Sequence, residues 1–326
     1  MKFVRFLVKD YYPKEPFLGA ILDSKIIDLK SAYRLYLLEA GICNENASKR
    51  ISDQMLTSNM VEFIENGELS LNAARCALDF AKNSTTNYPN EKLSYDYSEI
   101  NLLAPITNPV NLRDFLSFEE HIKNARKRRG LEVPPLWYEI PAYYKGNTTT
   151  IFGHEDDILW PKYTENLDYE LEFACIIGKN GIDISADDAD DYIFGYTIMN
   201  DFSARDIQIK EMNIGLGPAK GKDFATALGP CIVTKDEIPN PYNLEMVARV
   251  NGEEWSRGNS GTMYRTFQQI IEHVSNSEPI VAGDVLGSGT VGLGCGLELG
   301  KQLSVNDVVE LEISGLGILR NRIKKP

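Results

Sequence analysis

The chain has 326 residues, of which 43% are hydrophobic and 25% are charged, and its formal net charge is −13 at pH 7. This composition is typical of a globular protein and disfavours extensive disorder. The negative charge disfavours nonspecific binding to nucleic acid or to anionic membranes, and no apolar run reaches the roughly 20 residues that a membrane helix needs.

The first part of the chain, residues 1–104, predicts a small mixed α/β domain. Lys2–Lys9 and Leu18–Leu29 have the pattern of strands, the second with a turn at Asp23-Ser24. Helical periodicity follows at Ser31–Ala40, Ala47–Gly67 and Ser70–Asn83. Residues 83–90 are polar and resemble a linker.

The second part, residues 105–326, predicts a β-rich domain. Short β-branched runs alternate with Gly, Pro and Asp turns, and helices are expected near 117–129 and 262–275. The expected strands are Ile151–Phe152, Tyr169–Gly178, Ile193–Met199, Cys231–Thr234, Leu244–Val250, Asp284–Gly287 and Val308–Ile313. The predicted fold class is therefore α+β, with a mostly-β domain that follows the small mixed one.

A histidine lies near the start of the helix expected at 117–129. Ser117-Phe-Glu-Glu120 fits a capping box, and Gly130 can end the helix. The positive end of the helix dipole then favours the neutral imidazole of His121, which is the form that a general base needs. The alternative is a surface histidine on an exposed helix face.

Four carboxylates interrupt segments that otherwise suit a protein core. Asp114 precedes His121 by seven residues, Glu170 and Glu172 share one face of a predicted strand, and Asp201 ends an apolar run. Buried carboxylates are costly unless they are paired or bind a cation, and oxygen-only ligands select Mg²⁺, Mn²⁺ or Ca²⁺. The alternative is that the glutamate pair faces solvent from an edge strand, with the hydrophobic residues between them pointing inward.

Several of these segments resemble the successive motifs of the fumarylacetoacetate hydrolase family. The resemblance covers residues 102–326 in order, and the N-terminal unit is similar in size to the variable N-terminal domain of the family. The most specific stretch is Tyr196–Gln208. The segments that carry the resemblance are Asp114–His121, Asp168–Glu172, Gly195–Gln208, Lys222–Pro230 and Gly287–Leu299.

The resemblance implies a β-rich catalytic domain of the fumarylacetoacetate hydrolase type that assembles as a homodimer. It implies a small-molecule 2-oxo or 1,3-dioxo acid as substrate, chelated by a divalent cation. Mg²⁺ and Mn²⁺ are the expected ions, and Ca²⁺ is the alternative. It further implies that His121 activates water and that Glu298 orients this histidine. The implied metal ligands are Asp114, Glu170, Glu172 and Asp201.

The resemblance extends to residues that would contact the substrate or its developing charge. Arg205, Gln208 and Lys222 match positions that stabilise the oxyanion or the leaving carbanion, whereas Tyr144 and Thr290 match contacts to the substrate carboxylate. The alternatives are ordinary ones. The arginine would belong to a surface pair with the following aspartate, the lysine would solvate a loop, and the tyrosine and threonine would be structural.

Departures from the fumarylacetoacetate-specific pattern leave the substrate open. Arg129 matches, with a one-residue gap, an arginine that binds a distal carboxylate, although a basic residue in a last helical turn is favoured by the dipole alone. Leu116 and Met212 replace two tyrosines of the fumarylacetoacetate-specific pattern. A smaller acylpyruvate-like acid therefore fits equally well.

Three functions follow as hypotheses. The first is a metal-dependent hydrolase that cleaves a carbon–carbon bond of an acylpyruvate or a fumarylacetoacetate-like acid. The second is a relative that decarboxylates or isomerises a 2-oxo acid, or dehydrates a 2-keto-3-deoxy sugar acid. The third is a non-catalytic binding protein with the same fold. The five cysteines are odd in number and scattered, which favours a reducing, cytoplasmic location.

Overall fold

The computed structural model describes residues 1–84, 91–128 and 130–325. In these ranges the α-helices are α1 (Leu29–Glu39), α2 (Glu45–Met55), α3 (Met60–Glu65), α4 (Glu68–Asn83), α5 (Glu119–Lys127), α6 (Arg205–Ile214), α7 (Phe267–Ser275) and α8 (Gly296–Leu299). None of the described helices is long and apolar enough to cross a lipid bilayer.

Strands form most of the regular structure after residue 100. The strands up to residue 160 are β1 (Lys2–Val8), β2 (Phe17–Leu22), β3 (Lys25–Asp28), β4 (Ser94–Tyr95), β5 (Ile100–Leu103), β6 (Leu112–Phe115), β7 (Tyr143–Lys145), β8 (Ile151–Phe152) and β9 (Asp157–Leu159). The later strands are β10 (Leu167–Asp168), β11 (Leu171–Ile177), β12 (Ile193–Asp201), β13 (Ser203–Ala204), β14 (Thr226–Thr234), β15 (Glu245–Val250), β16 (Glu253–Asn259), β17 (Val285–Gly287), β18 (Val308–Ile313) and β19 (Gly317–Lys324).

Two sheets provide the framework of the molecule. In the described ranges the larger sheet has 12 strands, with the main order β4-β3-β2-β1-β14-β12-β11-β17-β6-β7, and the smaller has five, in the order β16-β15-β18-β19-β9. Side chains of both sheets meet in one hydrophobic core, where Ile198 and Cys231 of the larger sheet lie with Leu311 and Leu319 of the smaller. The arrangement confirms a mixed fold that consists mostly of strands.

The larger sheet continues from the N-terminal strands into the later part of the chain. Phe3 of β1 pairs with Ile232 of β14, and β14 pairs with β12. A second core lies on the other side of this region, where Phe3 and Leu29 pack with Phe63 of α3. The domain boundary between residues 104 and 105 stays a prediction, and the hydrogen-bonded sheet extends across it.

The helix expected over 47–67 is in fact two helices. α2 ends at Met55, and α3 begins at Met60 after Asn59, whose side chain accepts a hydrogen bond from the backbone of Val61. Asparagine is a favoured N-cap because its side-chain oxygen satisfies an otherwise unpaired N–H at the helix start. The polar stretch predicted as a linker lies largely outside the described residues, since 85–90 are not described.

The predicted capping box of the histidine helix is wrong. α5 begins at Glu119, its N-cap is Phe118, and no side chain caps it. The backbone of Ser117 instead donates to Ser288 O and accepts from Tyr264 N, so it is fixed by the neighbouring segments. The helix ends as expected before Gly130, which has a φ of +68°.

Candidate active site

Four neighbouring strands of the larger sheet bring distant carboxylates together. Asp114 of β6 pairs with Gly287 of β17, and Gly287 pairs in turn with Ala174 of β11. Glu172 lies near the start of β11, and Asp201 is the last residue of β12, the strand on the other side of β11. The sheet order β12-β11-β17-β6 therefore places these side chains at one end of adjacent strands.

The predicted ligands form a compact buried cluster. Asp114, Glu170, Glu172 and Asp201 are all buried, and each offers an oxygen atom within 4.8 Å of those of the others. The alternative of a solvent-facing edge strand is wrong, because β11 lies between β12 and β17 and Glu172 is 0% exposed.

Two buried cations contact this cluster. Lys222 Nζ lies 2.5 Å from both Glu170 Oε2 and Asp201 Oδ2. Arg205 Nη1 lies 2.7 Å from Glu170 Oε1, and its Nε donates to Asp168 Oδ2 at 2.8 Å. Both side chains are only 3% exposed, so the lysine does not solvate a loop and the arginine does not belong to a surface pair.

The carboxylates differ in how well the cations compensate their charge. Burial, followed by the charge of neighbouring carboxylates, raises the pKa of Asp114 and of Glu172 well above their usual values. Burial likewise raises the pKa of Asp201, although Lys222 opposes it. Burial also acts to raise the pKa of Glu170, but the nearby lysine and arginine outweigh it and lower that pKa. The cluster thus carries more negative charge than its own cations neutralise.

Two oxygen atoms of the cluster indicate what could supply the missing charge. Glu172 Oε2 and Asp201 Oδ1 are buried, and neither has a hydrogen-bond partner among the described residues. An orphaned carboxylate oxygen is costly in a protein interior, and a cation removes that cost. The donor set contains only oxygen, which suits Mg²⁺, Mn²⁺ or Ca²⁺. The residues present therefore fit a divalent ion.

A histidine–glutamate pair lies beside the cluster. His121 is 6% exposed, and its Nδ1 lies 2.7 Å from Glu298 Oε2. Burial acts to raise the pKa of Glu298, but its hydrogen bond with the histidine and other contacts outweigh it and lower that pKa. An ionised carboxylate only accepts hydrogen bonds, so Nδ1 carries the proton and Nε2 is left as the basic nitrogen. A surface histidine, the alternative, is therefore wrong.

Cys295 connects this pair to the carboxylate cluster. Its Sγ lies 3.4 Å from Glu298 Oε2, and its backbone forms a β-bridge with Glu170. His121, when protonated, adds to the positive charge that lowers the pKa of Glu170. The imidazole is thus close enough to the metal-ligand cluster for the two to act on one small substrate.

Sequence reasoning assigned no role to three residues that support the site. Asp168 accepts from Arg205 and from the backbone of Gly296 at 2.8 Å, so it joins two segments of the site. Asn124 donates to Glu298 Oε1 at 3.0 Å, and Cys295 lies with His121 and Glu298. Asp168 begins the Asp-Tyr-Glu-Leu-Glu motif and was therefore detectable, whereas the other two depend on contacts between distant segments.

The remaining predicted residues lie at or near the cluster, with one exception. The Tyr144 hydroxyl donates to Asp201 Oδ2 at 2.7 Å, and Thr290 Oγ1 donates to Glu172 Oε1 at 3.2 Å. Gln208 Oε1 accepts from Arg205 Nη1 at 3.1 Å. Arg129 lies outside the described residues, so its contact with a substrate carboxylate stays a prediction.

The fold and the site together have the features of a metal-binding enzyme, since four buried carboxylates fit a divalent cation and a buried histidine–glutamate pair lies beside them. Residues 112–324 match the family described as Fumarylacetoacetate (FAA) hydrolase C-terminal. The chain belongs to the fumarylacetoacetate hydrolase family.

Named relatives span almost the whole chain. It is 32% identical to oxaloacetate tautomerase YisK of Bacillus subtilis, over 94% of this chain and 96% of that protein. It is 33% identical to the mitochondrial oxaloacetate tautomerase FAHD2A of Homo sapiens, over 87% of this chain and 84% of that protein.

Solved structures show the same fold. A fumarylacetoacetate hydrolase from Exiguobacterium antarcticum has a TM-score of 0.72 and 26% identity, with 100% of both chains covered. A maleylpyruvate hydrolase from Sphingobium sp. SYK-6, in complex with manganese(II) and pyruvate, has a TM-score of 0.70 and 18% identity, over 100% of this chain and 99% of that one.

Proposed function

We propose that this protein is a divalent-cation-dependent tautomerase that interconverts the keto and enol forms of a small 2-oxo dicarboxylic acid of the oxaloacetate class. The observation that carries the proposal is the buried His121–Glu298 pair beside the four-carboxylate cluster, which puts a single base next to a chelating site. Similarity to oxaloacetate tautomerases over nearly the full chain supports the substrate class.

The ion would be held by the oxygens of Asp114, Glu170, Glu172 and Asp201. When bound, a divalent cation polarises the 2-oxo group of a chelating acid and makes the neighbouring carbon more acidic. We propose Mg²⁺ or Mn²⁺, because an all-oxygen donor set suits hard cations. The homodimer and the cytoplasmic location stay predictions.

The protein groups then have separate tasks. His121 Nε2 takes a proton from the carbon next to the 2-oxo group of the keto form and delivers it to the 2-oxo oxygen to give the enol, and the reverse transfer restores the keto form. Glu298 fixes the imidazole tautomer through Nδ1. Lys222 and Arg205 lower the pKa of Glu170, and their ion pairs hold Glu170 and Asp201 in place for binding. Tyr144 and Thr290, which contact two of the cluster carboxylates, are proposed to border the substrate carboxylate, and Gln208 is proposed to position Arg205.

Proton exchange at carbon tests this function directly. In D₂O with Mg²⁺, the protein is expected to accelerate the exchange of the C3 protons of oxaloacetate, as followed by NMR. Replacing His121 with Gln should lower that rate by about 10²- to 10⁴-fold, the usual contribution of a general base. Exchange at the rate of the metal ion alone would contradict the proposal and favour the non-catalytic alternative.

Hydrolysis of a carbon–carbon bond in a 1,3-dioxo acid is the second candidate. One observation favours it: the same histidine–carboxylate pair, held by Asn124 and Cys295, is suited to activate a water molecule. A panel of acylpyruvates separates the two, because hydrolysis releases pyruvate and a carboxylic acid, whereas tautomerisation changes only the enol absorbance. Pyruvate release from oxaloacetate alone would instead indicate decarboxylation.

A further inference from the structure

A polar cavity lies beside β1 and is lined by none of the residues of the carboxylate cluster. It has a volume of about 350 Å³ and is lined by Arg5, Ser58, Asn59, Val61, Thr107 and Asn108. A cavity of this size falls in the range that small organic ligands occupy. Five of the six lining residues are polar or charged, so the cavity suits a hydrophilic ligand.

The guanidinium of Arg5 is the distinctive feature of this cavity. Arg5 is 8% exposed, and it lies on β1 in the middle of the larger sheet. Its Nε donates to Ser58 O at 2.6 Å, and its Nη1 donates to Ala104 O and to Thr107 Oγ1, both at 3.1 Å. These neutral acceptors position the side chain but leave its positive charge uncompensated.

No carboxylate among the described residues forms an ion pair with Arg5, in contrast to the other deeply buried arginines. Arg113 pairs with Asp284 at 3.0 Å, and Arg205 pairs with Glu170 at 2.7 Å. Glu62, in the helix beside the cavity, is instead bonded to Thr57 and Asn59. Burial lowers the pKa of Arg5, and no charged neighbour offsets this effect. A buried charge of this kind is stabilised by an opposite charge from outside the chain.

We propose that this cavity is a binding site for a small oxyanion, either a phosphate group or a carboxylate, with Arg5 as its charged contact. Because Nε and Nη1 already donate to protein oxygens, the two N–H groups of Nη2 are those left to contact such an anion. Thr107 and Asn108 precede β6, the strand of Asp114, by only a few residues. The anion site is therefore linked through a short segment to the catalytic cluster, but it is distinct from it.

Calorimetric titration at constant ionic strength tests the proposal, with inorganic phosphate, succinate and acetate as probes. Saturable binding of one phosphate or one succinate per chain is expected. Stronger binding of phosphate identifies a phosphate site, and stronger binding of succinate identifies a carboxylate site. Acetate shows how much of the binding a single carboxylate provides. Because succinate also suits the catalytic site, its titration is repeated in Lys222→Met, where binding at the Arg5 cavity should persist.

Two substitutions with the same change of charge locate the binding. Asn108→Asp adds a carboxylate at the cavity, and repulsion should weaken anion binding by about tenfold. Asn306→Asp is the matched control, because Asn306 is also exposed and also has a positive φ, of 77°. Both variants keep a residue type that tolerates this backbone conformation. Arg5→Met should abolish the binding, and circular dichroism checks that this variant is folded.

Loss of binding in Asn108→Asp with unchanged binding in Asn306→Asp is the expected result. The proposal is overturned if none of the anions binds saturably to the wild-type protein, or if both aspartate variants bind as the wild type does. Neither outcome affects the proposed tautomerase function, since the assay of proton exchange uses the separate cluster around His121.

Discussion

Replacement of Glu298 by Gln provides a direct test of the proton-transfer role of His121. Glu298 Oε1 accepts from Asn124 Nδ2 and from the backbone N–H of Leu293, both at 3.0 Å. In Glu298→Gln these two donors require the amide oxygen at that position, so the NH₂ group must occupy the position of Oε2, facing His121 Nδ1. The imidazole would then accept at Nδ1 and carry its proton on Nε2.

The expected effect follows from this change of tautomer. With its proton on Nε2, the imidazole can no longer accept a proton from the substrate, and kcat should fall by about 10²- to 10⁴-fold, the contribution of a general base. KM and the affinity for Mn²⁺ should change little, because Glu298 is not among the cluster carboxylates. The assay is the decay of enol absorbance for oxaloacetate, with Mn²⁺ at saturation.

Glu120→Gln is the matched control for this substitution. Glu120 directly precedes His121 in the same helix, is exposed, and loses the same charge. It should therefore retain the wild-type kcat. If Glu298→Gln also retained kcat within about threefold, the inferred tautomer of His121 would be wrong, or this histidine would not transfer the proton.

Three further predictions concern the cluster and its surroundings. Lys222→Met removes the cation bound to Asp201 and should lower the free energy of unfolding of the metal-free protein by about 3–5 kcal/mol. Mn²⁺ should stabilise this variant more than it stabilises the wild type. Calorimetric melting with and without a chelator measures both effects. The lowered pKa of Glu298 stabilises the folded state at pH values above the unfolded-state pKa near 4.5, and this stabilisation is lost as the pH falls through the folded-state pKa. On acidification the free energy of unfolding of the wild type should therefore fall relative to that of Glu298→Gln, as urea titrations would show. In Gly287→Ala the new Cβ would lie 2.4 Å from Asp114 Oδ1 and would displace that carboxylate. The affinity for Mn²⁺, measured by electron paramagnetic resonance, should therefore fall about 10- to 100-fold. An unchanged affinity would exclude Asp114 as a ligand.

The sequence singled out the carboxylates as candidates, because a charge in an apolar strand is a local signal, and the family resemblance implied that they share one site. Glu170 and Glu172 differ from the hydrophobic residues around them, and Asp201 ends an apolar run. The choice between a buried site and a solvent-facing edge required the sheet order, which places β11 between two other strands. Pairing of distant strands is not encoded in local periodicity, so the pattern alone left both alternatives open.

The residues that the sequence did not reveal depend on long-range contacts. Cys295 has no local motif that indicates its position beside His121 and Glu298, and Asp168 acts by accepting hydrogen bonds from residues far along the chain. The start of α5 was wrong for a related reason. A local serine signal was overridden by backbone hydrogen bonds from Ser117 to two separate segments.

The reaction class shows a similar limit. His121 and Glu298 do meet, as the resemblance implied, but a histidine–carboxylate pair serves tautomerisation as well as hydrolysis. Relatives that span most of the chain include oxaloacetate tautomerases, which favours the isomerase alternative over cleavage of a carbon–carbon bond.

The pairing of β1 with β14 has a consequence for evolution and for engineering. β14 also pairs with β12, the strand that delivers Asp201, so the first residues of the chain cover a strand edge only one strand away from the catalytic carboxylates. A truncated protein that begins at residue 105 would leave part of that edge bare and prone to aggregate. Exchange of N-terminal halves between relatives would succeed only where the incoming first strand can hydrogen-bond to the same edge.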